Sequence, residues 1–386
     1  MTRPLYVTQP ILPDLEDVQS LLREIWGAKI LTNGGPLHKK LENELRRYLD
    51  VPTALLCNNG TIALLIALKL FDLPTGSEVI TTPLTFAATA HAIHWNSLKP
   101  VFVDVDPETL TIDPASIEMA ITKNTSAILA VHVYGTVCDL DALQEISARH
   151  GVRLLYDAAH AFGVTVNGRS IGSFGDASVF SFHATKLFHT AEGGLITTNR
   201  AADSDPVYFL RNFGIKNEEE VIAVGINGKL TEIQAALGLL NLQLITEERC
   251  RRARLRMKYR EFLEPLRGIR LQPVQSGVTN SEQYFPIVVD AAVLGRSRDD
   301  LYQGLKKRGI YARKYFHPIC TDFEPYKTCR IVSARETPYV NTVKSQVLCL
   351  PFHSGVDDDD VADIRDEFLG ANSSSARSPI SSIAAA

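Results

Sequence analysis

Short apolar runs alternate with amphipathic stretches through the first half of the chain. Residues 79–82, 101–104, 127–131, 153–157, 177–180 and 195–198 read as buried strands. Helical patterns fall between several of them, residues 139–150 for example. Leu37, Leu41, Leu45 and Leu49 recur every four residues, the spacing of one helix face. The segment from Ile62 to Leu68 is apolar all round and predicts a buried helix. Strands of this kind interleaved with helices predict an α/β fold, a mostly parallel sheet covered on both faces. Ligands of such sheets collect at the carboxyl ends of the strands, and Asp157 lies at one.

Beyond residue 229 the pattern changes. A long helical stretch over 229–266 carries Leu230, Ile233, Leu237 and Leu240 three or four apart and ends at Pro265. Strands at 284–289, 310–316 and 346–350 and a helix at 299–308 follow. The expected division is a large α/β domain over 1–245, a small α+β domain over 246–371 and a Ser- and Ala-rich disordered tail over 372–386. The large domain includes an N-terminal arm to about Asn33, with a helix over 15–26.

Composition narrows the function classes. The formal net charge of −4 argues against a general nucleic-acid or membrane-surface binder. No apolar run reaches membrane-spanning length, and the opening Met-Thr-Arg-Pro-Leu-Tyr lacks a signal core, so a cytoplasmic protein is expected. The 6 cysteines are scattered without a CxxC pair, which fits reduced thiols and predicts no metal site.

The chemistry centres on Ser181-Phe182-His183-Ala184-Thr185-Lys186, followed by Glu192-Gly193-Gly194. A lysine on a turn between two buried strands is placed for an amine of lowered pKa that bonds a carbonyl carbon. Pyridoxal 5'-phosphate needs such a lysine, a carboxylate for its ring nitrogen, donors for its phosphate and a cover for its ring face. In order along the chain stand the Asn59-Gly60-Thr61 loop feeding a helix N-terminus, Phe86, Asp157, Ser181 and Lys186. Each has a plain alternative: a helix cap for the loop and for Asp157, an exposed loop residue for Lys186. The ordering favours the cofactor.

Asn59-Gly60-Thr61, Asp157-Ala158-Ala159-His160, the segment from Ser181 to Lys186, Glu192-Gly193-Gly194 and Gly225-Ile226-Asn227 together resemble the DegT/DnrJ/EryC1/StrS family, from about Asn33 to Pro351. These are sugar aminotransferases of the fold-type I, pyridoxal-phosphate class. The resemblance implies that Lys186 bonds the cofactor and shuttles the proton, Asp157 pairs with the ring nitrogen, Phe86 covers the ring and His160 lies by the 3-hydroxyl. Gly60, Thr61 and Ser181 would hold the phosphate, with Asn59 and His183 beside them, and Asn227 would reach it from the partner of a two-fold homodimer with shared active sites. It further implies an amino group moved from L-glutamate to a dTDP-linked 4-keto-6-deoxy sugar for O-antigen or another polysaccharide. Amination at carbon 3 and a non-catalytic cofactor-binding regulator are the rival readings.

Several residues carry two readings at this point. Thr32 and Asn33 are a substrate loop or a plain turn. Arg313, Lys314, Tyr315 and His317 follow a strand and are suited to diphosphate and sugar, or to a surface. His160 is a cofactor neighbour or a core histidine, His183 faces either way, and Asn227 on local grounds is a turn residue. The 7 basic residues between Arg249 and Arg260 are expected to be a solvated helix face.

Overall fold

A computed structural model describes residues 3–370, so the expected tail over 372–386 lies outside the described residues. The chain opens with β1 (Leu5–Tyr6), α1 (Leu15–Ala28) and α2 (Pro36–Tyr48). Asp14 caps α1, and Pro36 starts α2, whose Leu37, Leu41 and Leu45 are buried as their spacing predicts. The α/β body follows: β2 (Leu55–Cys57), α3 (Gly60–Leu70), β3 (Glu78–Thr81), α4 (Ala87–Trp95), β4 (Lys99–Val103), α5 (Pro114–Ala120), β5 (Thr125–Val131), α6 (Leu140–His150) and β6 (Arg153–Asp157). A small hairpin, β7 (Thr165–Val166) and β8 (Arg169–Ser170), precedes β9 (Ala177–Ser181), β10 (Gly194–Thr198) and α7 (Ser204–Leu210). Then come α8 (Glu232–Leu263), β11 (Ile269–Leu271), β12 (Phe285–Val289), α9 (Ala291–Leu294) and α10 (Arg298–Lys307). The chain closes with β13 (Ile310–Tyr311), β14 (Ile331–Val332), α11 (Val340–Val343), β15 (Val347–Leu350) and α12 (Asp358–Leu369).

The main sheet has 8 strands in the order β14-β4-β3-β5-β6-β9-β10-β2. Pairing is parallel from β14 to β9, and β10 runs antiparallel to both β9 and β2. Both faces are covered. Ile128 and Leu154 pack with Leu41, Leu45 and Ile146 on one side, while Leu129 and Leu155 pack with Leu64, Ala67 and Ile93 on the other. This double burial is why the strands read as unbroken apolar runs. A second, 3-stranded antiparallel sheet, β11-β12-β15, packs with α10, α12 and the end of α8 around Leu301, Leu305, Ile364 and Phe368.

The structure departs from the pattern reading in four places. β14, which that reading lacked, returns from residue 331 to pair with β4 on the edge of the main sheet, while residue 245 lies within α8, the long helix expected over 229–266. The strand expected over 310–316 is only β13. Beyond it a single backbone bridge joins Arg313 to Cys349, and Tyr315 and Phe316 turn away to pack on Tyr284, Tyr134 and His160. On α8 the buried face is Ala235, Ala236, Gly238 and Leu239, whereas Ile233 is exposed. Finally, the basic run is not uniformly solvated: Arg252 is 1% exposed, and its Nε donates to Glu248 Oε1 at 2.6 Å. The Glu-to-Arg i,i+4 spacing was present in the sequence, but tertiary packing decides that this pair is buried.

A buried pair is costly to break because the remaining charge is stranded. Arg252→Ala is expected to lower the unfolding free energy by ~3–5 kcal/mol in urea melts. Arg251→Ala, facing the exposed Glu247, is expected to cost under ~1 kcal/mol. Equal losses in the two variants would contradict the assignment.

Candidate active site

The carboxyl ends of β6 and β9 and the start of α3 converge. Asn59 adopts an extended conformation and caps α3, its Oδ1 accepting from Ile62 N at 2.8 Å. Its carbonyl accepts from Ala63 N at 3.1 Å. The N–H groups of Gly60 and Thr61 are therefore left without partners inside the helix, at its positive end. Ser181 closes β9 directly against this turn: a Cβ at Gly60 would stand 2.9 Å from Ser181 Cβ. On the other side, a Cβ at Gly194 would stand 2.4 Å from Asn59 O, so the cradle needs glycine at both places.

Asp157 ends β6 and is 5% exposed. Its Oδ2 accepts from Thr89 Oγ1 at 2.7 Å and its Oδ1 from Ala159 N at 3.1 Å. Burial raises its pKa, against the pull of those two donors and of Lys186. A carboxylate held this way by neutral donors is suited to a cationic partner. His160 is 4% exposed, and its Nδ1 accepts from Tyr134 N at 3.1 Å, which places the ring proton on Nε2. Burial, and secondarily Lys186, holds its pKa well below 6.5, so the ring is neutral.

Lys186 follows a tight turn closed by its own N–H on His183 O at 2.8 Å. Although the residue as a whole is only partly buried, desolvation of its amine pushes the pKa down to about 8, opposed by the Asp157 carboxylate. Lys186 Nζ lies 5.7 Å from the centroid of the Tyr284 ring. Tyr284 also meets His160 edge-on at 5.0 Å and Tyr315 at 5.4 Å, and Phe316 stacks on His160 at 5.7 Å. Residues from the second half of the chain thus wall the lysine. Phe86 caps α4 two residues before Ala88 and is 63% exposed, an apolar ring left uncovered beside the helix that carries Thr89.

Other expected site residues fall elsewhere. Lys314 does not face the lysine: its Nζ pairs with Asp299 Oδ1 at 2.6 Å and lies over the Tyr302 ring, because α10 presents both groups to it. His317 is exposed in the same turn, which its N–H closes on Lys314 O at 2.7 Å. Arg313 is exposed, its guanidinium 5.5 Å from the Tyr315 ring, so only Tyr315 of that quartet adjoins the Lys186 wall. The His183 ring is exposed and contacts Thr185 Oγ1 at 2.8 Å and Glu192 Oε1 at 3.6 Å, not Asp157 or His160. Thr32 and Asn33 are exposed in a turn where Asn33 takes φ 64°. Asn227 is exposed on the loop preceding α8; its carbonyl accepts from Asn58 Nδ2 at 3.5 Å, one residue before the cradle.

Thr89, Tyr134, Gln283 and Tyr284 escaped the sequence reading. Thr85 and Thr89, four apart across the start of α4, gave a faint local signal, and their hydroxyls are 2.8 Å apart. Tyr284 gave none, since the groups it meets, His160 and Lys186, belong to the other half of the chain.

The fold and this set of groups are those of a pyridoxal-phosphate-dependent aminotransferase of fold type I. The donor set fits that cofactor: a helix end and a hydroxyl for a phosphate, a buried carboxylate for a protonated ring nitrogen and an amine of lowered pKa for its carbonyl carbon. Comparison with known proteins gives the family. The chain belongs to the DegT/DnrJ/EryC1/StrS aminotransferase family, whose model matches residues 14–369. It is 44% identical over 363 residues to the dTDP-4-amino-4,6-dideoxy-D-glucose transaminase of Shigella dysenteriae, covering 93% of this chain and 96% of that one. The protein of the same description from Escherichia coli is 41% identical over 367 residues, with coverage of 94% and 98%. Among solved structures, DesI determined in the presence of its TDP-sugar product superposes with a TM-score of 0.88 at 36% identity, covering 96% of this chain and 94% of that one. Among the described residues no helix is long and apolar enough to cross a membrane, and no acidic, His or Cys cluster is suited to hold a metal.

Proposed function

We propose that this chain transfers the amino group of L-glutamate to carbon 4 of a dTDP-linked 4-keto-6-deoxyhexose, with dTDP-4-keto-6-deoxy-D-glucose as the substrate. The product is a dTDP-4-amino-4,6-dideoxyhexose, a precursor for O-antigen or a similar polysaccharide made in the cytoplasm. The observation that carries this reading is 44% identity, spanning 96% of the relative, to a transaminase named for that amino sugar.

Bound pyridoxal phosphate supplies an electron sink for charge developing at the reacting carbon. In this reading Gly60 and Thr61 N–H with Ser181 Oγ would hold the phosphate, and Asp157 would keep the ring nitrogen protonated. Phe86 would cover the ring, and neutral His160 would offer an N–H at Nε2. Lys186 would hold the cofactor through its carbonyl carbon, and its Nζ would carry a proton between neighbouring carbons. An amine of pKa about 8 suits both directions near neutral pH. Amine donor and ketosugar are handled in alternation at one site, giving ping-pong kinetics.

The test is incubation with glutamate and a panel of dTDP-, UDP- and GDP-linked ketosugars, with products read by mass spectrometry. Glutamate alone should bleach the yellow of the bound cofactor. An unchanged spectrum would end the transaminase reading, and amination of a 3-keto sugar in preference would move the reaction to the other carbon.

The second proposal is a homodimer in which Asn227 completes the partner's phosphate site. Around Asn227, Phe213, Ile215, Val221, Ile222, Val224 and Ile226 are all exposed, an apolar loop that a second copy of the chain would cover. Val224 is 87% exposed, so Val224→Asp leaves the single chain intact. It is expected to give monomers in sedimentation and cofactor affinity reduced at least about tenfold, the loss of one charged hydrogen bond. Monomers that hold cofactor as tightly as wild type would show that each site is complete in one chain.

A further inference from the structure

The loop bearing Lys186 is gripped by a side chain from the second half of the sequence. Gln283, 3% exposed, accepts from Leu187 N at 2.6 Å through Oε1 and donates to Thr185 O at 3.1 Å through Nε2. These two groups belong to the peptide bonds on either side of Lys186, so one side-chain amide fixes both. A buried amide with both ends engaged has little freedom to turn. The segment carrying Gln283 is itself anchored. Arg249 Nη2 donates to Asn280 O at 2.6 Å, Arg252 Nη1 to Glu282 O at 3.3 Å, and Arg256 Nε to Glu282 Oε1 at 3.1 Å. Glu282 is held at φ 57°, a left-handed conformation that turns the chain so that Gln283 and Tyr284 enter the site together. The inward arginines of the basic run on α8 therefore fasten the 280–282 turn.

We propose that Gln283 is the positioning residue for Lys186, fixing through its amide the direction in which the lysine side chain leaves the backbone. This rests on Lys186 being the lysine that bonds the cofactor. Gln283 touches neither cofactor nor substrate in this scheme; it acts through the backbone of the loop. It also couples the lysine to the second lobe, since the clamp exists only while the 280–284 segment is docked.

Gln283→Met keeps length and apolar packing but removes both hydrogen bonds. Its kcat is expected to fall by about 10²-fold, the cost of misplacing a reacting group by an ångström. KM for glutamate should stay within about threefold, because the loss is confined to the transition state. The second readout needs no activity: competitive acetylation of the apoprotein followed by mass spectrometry gives the titration of Lys186 itself. The wild-type amine should titrate near 8, and that of Gln283→Met should move at least about one unit back towards an ordinary lysine as the loop relaxes into solvent. Gln283→Glu retains the acceptor for Leu187 N–H but sets an oxygen against the Thr185 carbonyl, so it should recover only part of the rate. If Gln283→Met does not fold, the rate and titration of Gln283→Glu decide. A folded variant that keeps the wild-type titration, or whose kcat stays within about threefold of wild type, overturns the proposal. Borohydride reduction of the holoenzyme and peptide mapping keep the two ideas apart. Label on another lysine defeats the cofactor assignment, whereas label on Lys186 with an unmoved titration defeats only the role of Gln283.

Discussion

Lys186→Met is expected to lose turnover by at least about 10⁴-fold, because in the proposed reaction one side chain would be both the covalent anchor and the proton carrier. The same substitution should make the apoprotein more stable at neutral pH. Desolvation lowers the folded-state pKa of Lys186 from 10.5 to about 8. Between those values the unfolded chain binds a proton that the folded chain does not, so the stability contribution of this group rises with pH across that window. Below pH 8 both states are protonated and the folded state carries the whole penalty, up to ~3 kcal/mol. Methionine fills the same space without it. Urea melts at pH 7 and pH 9.5 should therefore show an advantage for Lys186→Met that shrinks to roughly 1 kcal/mol at the higher pH. A variant retaining more than about 1% of wild-type turnover would remove Lys186 from the chemistry. A variant no more stable than wild type would show that the amine is solvated in the apoprotein.

Asp157 and Lys186 were legible in the sequence because their residue types are improbable where the apolar pattern puts them. A carboxylate ending a buried parallel strand and a lysine between two buried strands each imply a partner that desolvation does not supply. The strands were legible for a related reason: burial on both faces leaves little room for polar residues, so β5 and β6 are marked by composition alone. What stayed hidden depends on contacts between distant segments. β14 is two residues long, and only its place beside β4 makes it a strand. Arg252 and Arg251 are adjacent and chemically identical, yet one is buried against Glu248 and the other faces solvent. Lys314 gave no sign in the sequence of its partner Asp299, which only the placement of α10 brings to it. Gln283 has no local mark at all, because the partners of its side chain lie nearly a hundred positions away.

Asp157→Asn should separate holding the cofactor from using it. In the apoprotein the Asp157 carboxyl is buried and its pKa is raised, so its charged form costs stability in full once the pH exceeds the folded-state value. That cost is absent below the unfolded-state value, where both states bind the proton. A protonated ring nitrogen in contact with the carboxylate would offset the cost, which makes the pair far stronger with cofactor than without. Asparagine keeps the shape, with its amide oxygen accepting from Ala159 N and its amide nitrogen donating to Thr89 Oγ1, but it cannot stabilise the ring proton. Cofactor affinity is expected to fall about 10- to 100-fold, the loss of one buried charge-assisted hydrogen bond. Turnover should fall further, by about 10²–10⁴-fold, because charge at the reacting carbon then lacks its sink. Thr89→Val tests the support beneath it. Removing the 2.7 Å hydrogen bond to Oδ2 raises the Asp157 pKa further, so cofactor binding should weaken by about tenfold. The apoproteins should move the opposite way: Asp157→Asn is expected to melt above wild type at pH 7 and to lose that advantage on acidification. Affinity and turnover falling equally in Asp157→Asn would mean that the carboxylate only anchors the ring, and the proton on its nitrogen would then need another keeper.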